Sequence, residues 1–82
     1  MNDQAELSKL RWRCRRGMQE MDIMLQRYLE RCYGQAEEAE QQAFAALLDT
    51  EDDQLWDWLI GRAQPGEPSL AQVVDQIRAL GP

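Results

Sequence analysis

The sequence predicts an all-α fold, a compact five-helix bundle, and three observations predict it. Apolar residues recur at spacings of three and four through most of the chain, the repeat of one helix face. No stretch alternates apolar and polar residues for more than a few positions, so no strand is expected. Glycine and proline punctuate the periodic segments, at Gly17, Gly34, Gly61 and through 61–68. The 82 residues are read as one domain, 1–82. A chain this short buries only about 60% of its unfolded surface, which argues against a deep pocket enclosing a large cofactor.

The first helix is expected from about Asp3 to about Arg15. Asp3 stands as its N-cap, with Glu6 three residues on in the manner of a capping box. Leu7, Leu10 and Cys14 make its apolar stripe. Trp12 lies off that stripe, so it either packs on a second neighbour or faces a partner. Gly17 then breaks the pattern. A glycine costs about 1 kcal/mol inside a helix, and its missing Cβ permits a positive φ or a close backbone approach.

The second helix is expected from about Met18 to about Tyr33. Met18, Met21, Leu25, Tyr28, Leu29 and Cys32 share a face, with Met24 beside it. Gly34 stands at the C′ position, and Arg27 and Arg31 suit the final turns. The third helix starts near Ala36, with Glu37, Glu38 and Glu40 in its first turns. Ala36, Ala39, Ala43, Phe44, Leu47 and Leu48 form its face, and the alanines let a neighbour come close.

The fourth helix spans about Glu51 to Ile60, with Thr50 as N-cap and Asp53 at the capping-box position. Leu55, Trp56, Leu59 and Ile60 match the helical spacing. Trp56 is therefore expected in the core, while Trp58 widens the face. Residues 61–68 hold two glycines and two prolines and read as a loop. Ser69 opens the last helix, with Gln72 completing a capping box. Leu70, Val73, Val74, Ile77 and Leu80 are its stripe.

Composition excludes several functions. There is no histidine, which removes the commonest general base and metal ligand. Cys14 and Cys32 lack a paired-ligand spacing for zinc. They are expected as small, partly buried hydrophobes; a disulfide needs two helices to bring them together. With no secretory or membrane-spanning run, a reducing cytoplasm is the expected location. Residues 1–33 carry net +2 and residues 34–82 net −8, within a total of −6. That acidic balance argues against nucleic-acid binding. The acidic positions around Asp49 and Glu51–Asp53 lack the glycine and terminal glutamate of a calcium loop.

The segment Arg11–Asp22 is less easily explained by packing. Its arginines surround the helix: Lys9, Arg13 and Arg16 share one broad face, Arg11 and Arg15 another. Arg16 and Glu20 are spaced as an i,i+4 pair, in the weaker orientation worth about 0.2–0.5 kcal/mol. Such a pair does not call for the glycine between its members. Gly17 is either the turn between two helices or the place where a partner's backbone approaches.

Arg16-Gly17-x-x-Glu20, preceded by Trp12-x-Cys14-Arg15 and followed by Met21-Asp22, resembles the RGxxE signature of the SdhE-type FAD assembly factors. Phe44 to Leu48 and then Asp52-Asp53-x-Leu55-x-x-Trp58-Leu59 resemble a second block of that family. The resemblance covers about residues 5–80. It implies a five-helix bundle that binds the flavoprotein subunit of succinate dehydrogenase, or of fumarate reductase. It also implies that covalent attachment of FAD to a histidine of that subunit is promoted without catalysis by the factor itself, which has no FAD of its own. Arg16, Gly17 and Glu20, with Arg15, Asp22 and Trp58, are then the expected partner-binding residues. No nucleic acid and no membrane insertion are implied. The alternative is a generic helical interaction or regulatory module, antitoxin-like, docking through the basic segment 9–16. An enzyme is the weakest class, since no nucleophile stands beside a base and no phosphate loop is present.

Overall fold

The computed structural model describes residues 3–81, with side chains from Ala5 onward. Five α-helices and one short 3₁₀ turn are present: α1 Asp3–Arg13, α2 Gln19–Arg31, the 3₁₀ turn Tyr33–Gln35, α3 Glu38–Leu47, α4 Asp52–Leu59 and α5 Pro68–Ala79. No strand occurs among the described residues. The radius of gyration is 11.7 Å, the value of about 12 Å expected for a compact chain of this length.

The apolar stripes dictate the packing. Leu10 and Cys14 of the first stripe, and Met21, Leu25, Tyr28 and Leu29 of the second, are buried. Phe44 is fully buried from α3, its ring 4.7 Å from that of Tyr28 and 5.8 Å from that of Tyr33. Tilted pairs at such distances add about 0.5–1.5 kcal/mol beyond burial alone. Tyr28 keeps its polar end satisfied by donating its hydroxyl to Glu40 Oε2 at 2.5 Å. Burial first, and that carboxylate second, push the phenol above its ordinary range. The last helix, α5, is the common support: it packs on α2, α3 and α4 through Val73, Val74 and Ile77.

Four local expectations are corrected. The C′ role of Gly34 is not adopted: α2 ends at Cys32, whose N–H donates to Tyr28 O, and the 3₁₀ turn carries the chain through Gly34 without a positive φ. Thr50 is not the N-cap of α4. Glu51 is, with no side-chain cap, and Asp52 and Asp53 complement the helix dipole instead. Ser69 does not open α5 either. Pro68 occupies the first turn with its φ already helical, so the helix starts earlier and Glu67 becomes the N-cap. The tryptophans exchange roles: Trp58 is 8% exposed and in the core, whereas Trp56 only packs partly against it. The Asp3 side chain, and so its capping box, lies outside the described residues.

Candidate functional site

The segment between α1 and α2 is built by backbone groups that need partners. Helix α1 closes with Cys14 N–H on Leu10 O at 3.0 Å and Arg15 N–H on Trp12 O at 3.1 Å. The chain then turns at Gly17, whose φ of +82° lies in the left-handed region. A side chain there is disfavoured by roughly 1–2 kcal/mol. The turn is fixed by Asp22 from the start of α2: its Oδ1 accepts the Arg16 N–H at 2.9 Å and its Oδ2 the Gly17 N–H at 3.1 Å. Two peptide N–H groups that no helix can satisfy thus share one carboxylate.

The Arg16 side chain does not pair with Glu20. It points inward, 13% exposed, toward the α3–α4 connection. Its Nε donates to Asp52 Oδ1 at 2.7 Å, its Nη1 to Leu48 O at 2.8 Å and its Nη2 to Thr50 O. Arg13 follows it, with Nη2 donating to Ala45 O at 3.4 Å and to Asp49 Oδ1. These cations meet carbonyls at and just beyond the C-terminal end of α3, the favourable sign for that end. The i,i+4 spacing of Arg16 and Glu20 has no helix to act in, because α1 ends at Arg13 and α2 begins at Gln19. A guanidinium fork serves three acceptors from separate directions better than one exposed carboxylate does. Beneath the turn, Cys14 is fully buried. Burial pushes its thiol up to about 11, against the opposing pull of Arg16. Cys14 and Cys32 are both free thiols.

The outward side of the turn is different. Gly17 is exposed, and a Cβ built on it meets nothing within 4 Å. Glu20, in the first turn of α2, is exposed and has no hydrogen-bond or ion-pair partner among the described residues. Arg15 leans away, its guanidinium 5.6 Å from the ring centroid of Trp12, which is 70% exposed. Of the six residues named from sequence, Arg16, Gly17 and Asp22 are thus joined in one hydrogen-bonded turn. Glu20 stands one turn further on, Arg15 is on another face, and Trp58 is in the core.

Residues not singled out from sequence border Glu20. Ile23, Met24, Trp56, Leu59 and Ile60 line a groove of about 350 Å³ that also includes Glu20 and Arg78. Ile23 and Ile60 are 45% and 39% exposed. The signal available in the sequence was Ile23, a large aliphatic residue off the stripe of its helix. Among the described residues no cluster of three or more acidic or cysteine side chains is arranged to hold a metal ion. No described helix is long and apolar enough to cross a membrane.

Comparison with known proteins places the chain in a family. A family model described as the flavinator of succinate dehydrogenase matches residues 8–81. The FAD assembly factor SdhE of Xylella fastidiosa (strain Temecula1) is 50% identical over 80 residues, 98% of this chain and 82% of the relative. That of Methylococcus capsulatus is 43% identical over 76 residues, 93% of this chain and 92% of the relative. That of Coxiella burnetii is 38% identical over 80 residues, 98% of each. With a matching family model over almost its whole length and relatives of this identity, the chain belongs to the SdhE family of FAD assembly factors.

Proposed function

We propose that the protein is an assembly factor that binds the flavoprotein subunit of succinate dehydrogenase and promotes covalent attachment of FAD to it. Family membership supports the activity, and the observation that carries the site is the two-sided turn at residues 16–22. Its inner side is held by Arg16 and Asp22, while its outer side offers a bare glycine and an unpaired carboxylate. Gly17 lets the client's backbone come close. Glu20 accepts a charge-assisted hydrogen bond across the contact. Arg16 and Asp22 are positioning residues that fix where Gly17 and Glu20 stand. The factor holds the client in the conformation competent for attachment and shifts that population by its differential affinity. FAD is carried by the client, fumarate reductase is a second client of the same kind, and the meeting takes place in the cytoplasm.

Co-expression of the flavoprotein subunit with and without this protein tests the proposal, reading in-gel flavin fluorescence after denaturation. Fluorescence should depend on the factor. It should disappear with Gly17→Arg although the variant keeps its helical circular dichroism. Equal fluorescence without the factor would refute the activity, and full fluorescence with Gly17→Arg would refute the contact.

A further inference from the structure

The groove beside Glu20 is unused by the fold. Its apolar residues come from α2 and from the end of α4, and the exposed Ile23 and Ile60 stand among them. Two charged side chains of opposite sign line it, Glu20 and Arg78. Arg78 lies over Gly61, its Nη2 2.7 Å from where a Cβ would be, and forms no ion pair with Glu20 among the described residues. Glu20 and Arg78 are thus both without an ion pair among the described residues, Arg78 at the Gly61 side of the groove and Glu20 at the start of α2, beside the turn at Gly17.

We propose that this groove receives one large apolar side chain of the client flavoprotein, on a segment that places an arginine or lysine against Glu20. The proposal rests on the contact at Gly17 and Glu20 given above and extends it toward α4. The volume lies within the roughly 300–1,000 Å³ of ordinary binding clefts, and an apolar anchor in a pocket is the usual energetic centre of a protein contact. Charge complementarity selects the neighbour at the end of the groove next to Gly17: there the unpaired Glu20 carboxylate favours a cation and rejects an acidic group. A second copy of this chain fits less well. It brings a net charge of −6 against −6, a like-charge approach that disfavours association.

The test uses the full-length protein and the purified flavoprotein subunit of succinate dehydrogenase, with affinity measured by calorimetry at two salt concentrations. Ile23→Glu and Ile60→Glu alter exposed positions and should keep the wild-type Tm. Each should weaken binding at least tenfold. Glu20→Gln should weaken it and flatten its salt dependence. Unchanged affinity for both isoleucine variants, with binding lost in Gly17→Arg, would overturn the groove and leave the contact standing. Unchanged affinity for Gly17→Arg as well would overturn both. An unaltered salt dependence in Glu20→Gln would remove the cation. Loss of self-association by sedimentation, at constant client affinity, would assign the groove to a second copy and overturn the proposal.

Discussion

Gly17 and Gly61 have almost the same φ, +82° and +83°, in opposite surroundings. Gly61 closes a helix. Its N–H donates to Trp58 O and the next N–H, of Arg62, to Asp57 O, the paired bonds that finish α4. The space beside it is taken by Arg78. Gly17 closes no such pair; its N–H goes to the Asp22 carboxylate, and the space beside it is open. Positive φ thus explains why both positions are glycine, and only the empty space at Gly17 leaves room for another molecule. Backbone conformation alone does not distinguish a helix stop from a glycine with an open side.

The largest expected effect breaks the support behind Gly17. Arg16→Ala removes bonds to Asp52, Leu48 O and Thr50 O. Charge-assisted bonds of this kind are worth about 1.5–3 kcal/mol each and do not add, so a loss of about 3 kcal/mol is expected. That lowers Tm by 10 °C or more in thermal denaturation, at about 4–8 °C per kcal/mol. Arg16→Lys should recover only part of it, because an ammonium cannot reproduce the planar fork. A second pair of variants sharpens the comparison itself. Gly17→Ala and Gly61→Ala should each lose about 1–2 kcal/mol from the left-handed backbone. Gly61→Ala should nonetheless leave flavinylation of the client at the wild-type level, since the atom it meets is the movable end of Arg78. Only bulk at Gly17, as in Gly17→Arg, should remove it.

Much of this was legible beforehand. The stripes of the first, second and fifth helices name the core correctly, because burial follows the local period. What failed depended on distant or one-residue effects. The acceptors of Arg16 lie 32 to 36 residues away, and two of them are main-chain carbonyls, which no side-chain pattern reveals. The order of Trp56 and Trp58 failed because α4 has only 8 residues. In so short a helix, Leu55 with Trp58 and Leu59 fits the helical spacing as well as Leu55 with Trp56 and Leu59. For Gly17 the sequence leaves two alternatives, a turn or a contact; the turn is visible in its φ, and the contact is the proposal made for its open side.

The smallest effect asks whether the turn stays shut. The Cys14 thiol is raised from 9.0 to about 11, chiefly by burial, and Tyr28 is raised above its ordinary 10.0. Both are groups kept neutral by the fold. Their contribution is complete below about pH 9 and declines as pH rises from about 9 toward 11, where the unfolded chain ionises first. Chemical denaturation at pH 8 and pH 10 should show the decline. Cys14 should resist thiol labelling at pH 8 in the native protein while the partly exposed Cys32 reacts. Arg16→Ala, which loses about 3 kcal/mol, should speed labelling of Cys14 more than Gly17→Arg does.

The Asp22 carboxylate has a consequence beyond holding a turn. Successive peptide N–H groups pointing at one spot form the kind of concavity in which proteins hold phosphate. Here it comes with its own anion, tethered from the next helix. The nearest guanidinium, that of Arg16, is turned toward Asp52 and two carbonyls, and Arg13 toward Asp49. A diphosphate arriving at this basic-looking stretch would have to evict an intramolecular carboxylate and draw Arg16 out of the fold. The segment is rich in positive charge by sequence, yet Arg13 and Arg16 are already paired with carboxylates, and Glu20 stands unpaired on its exposed side.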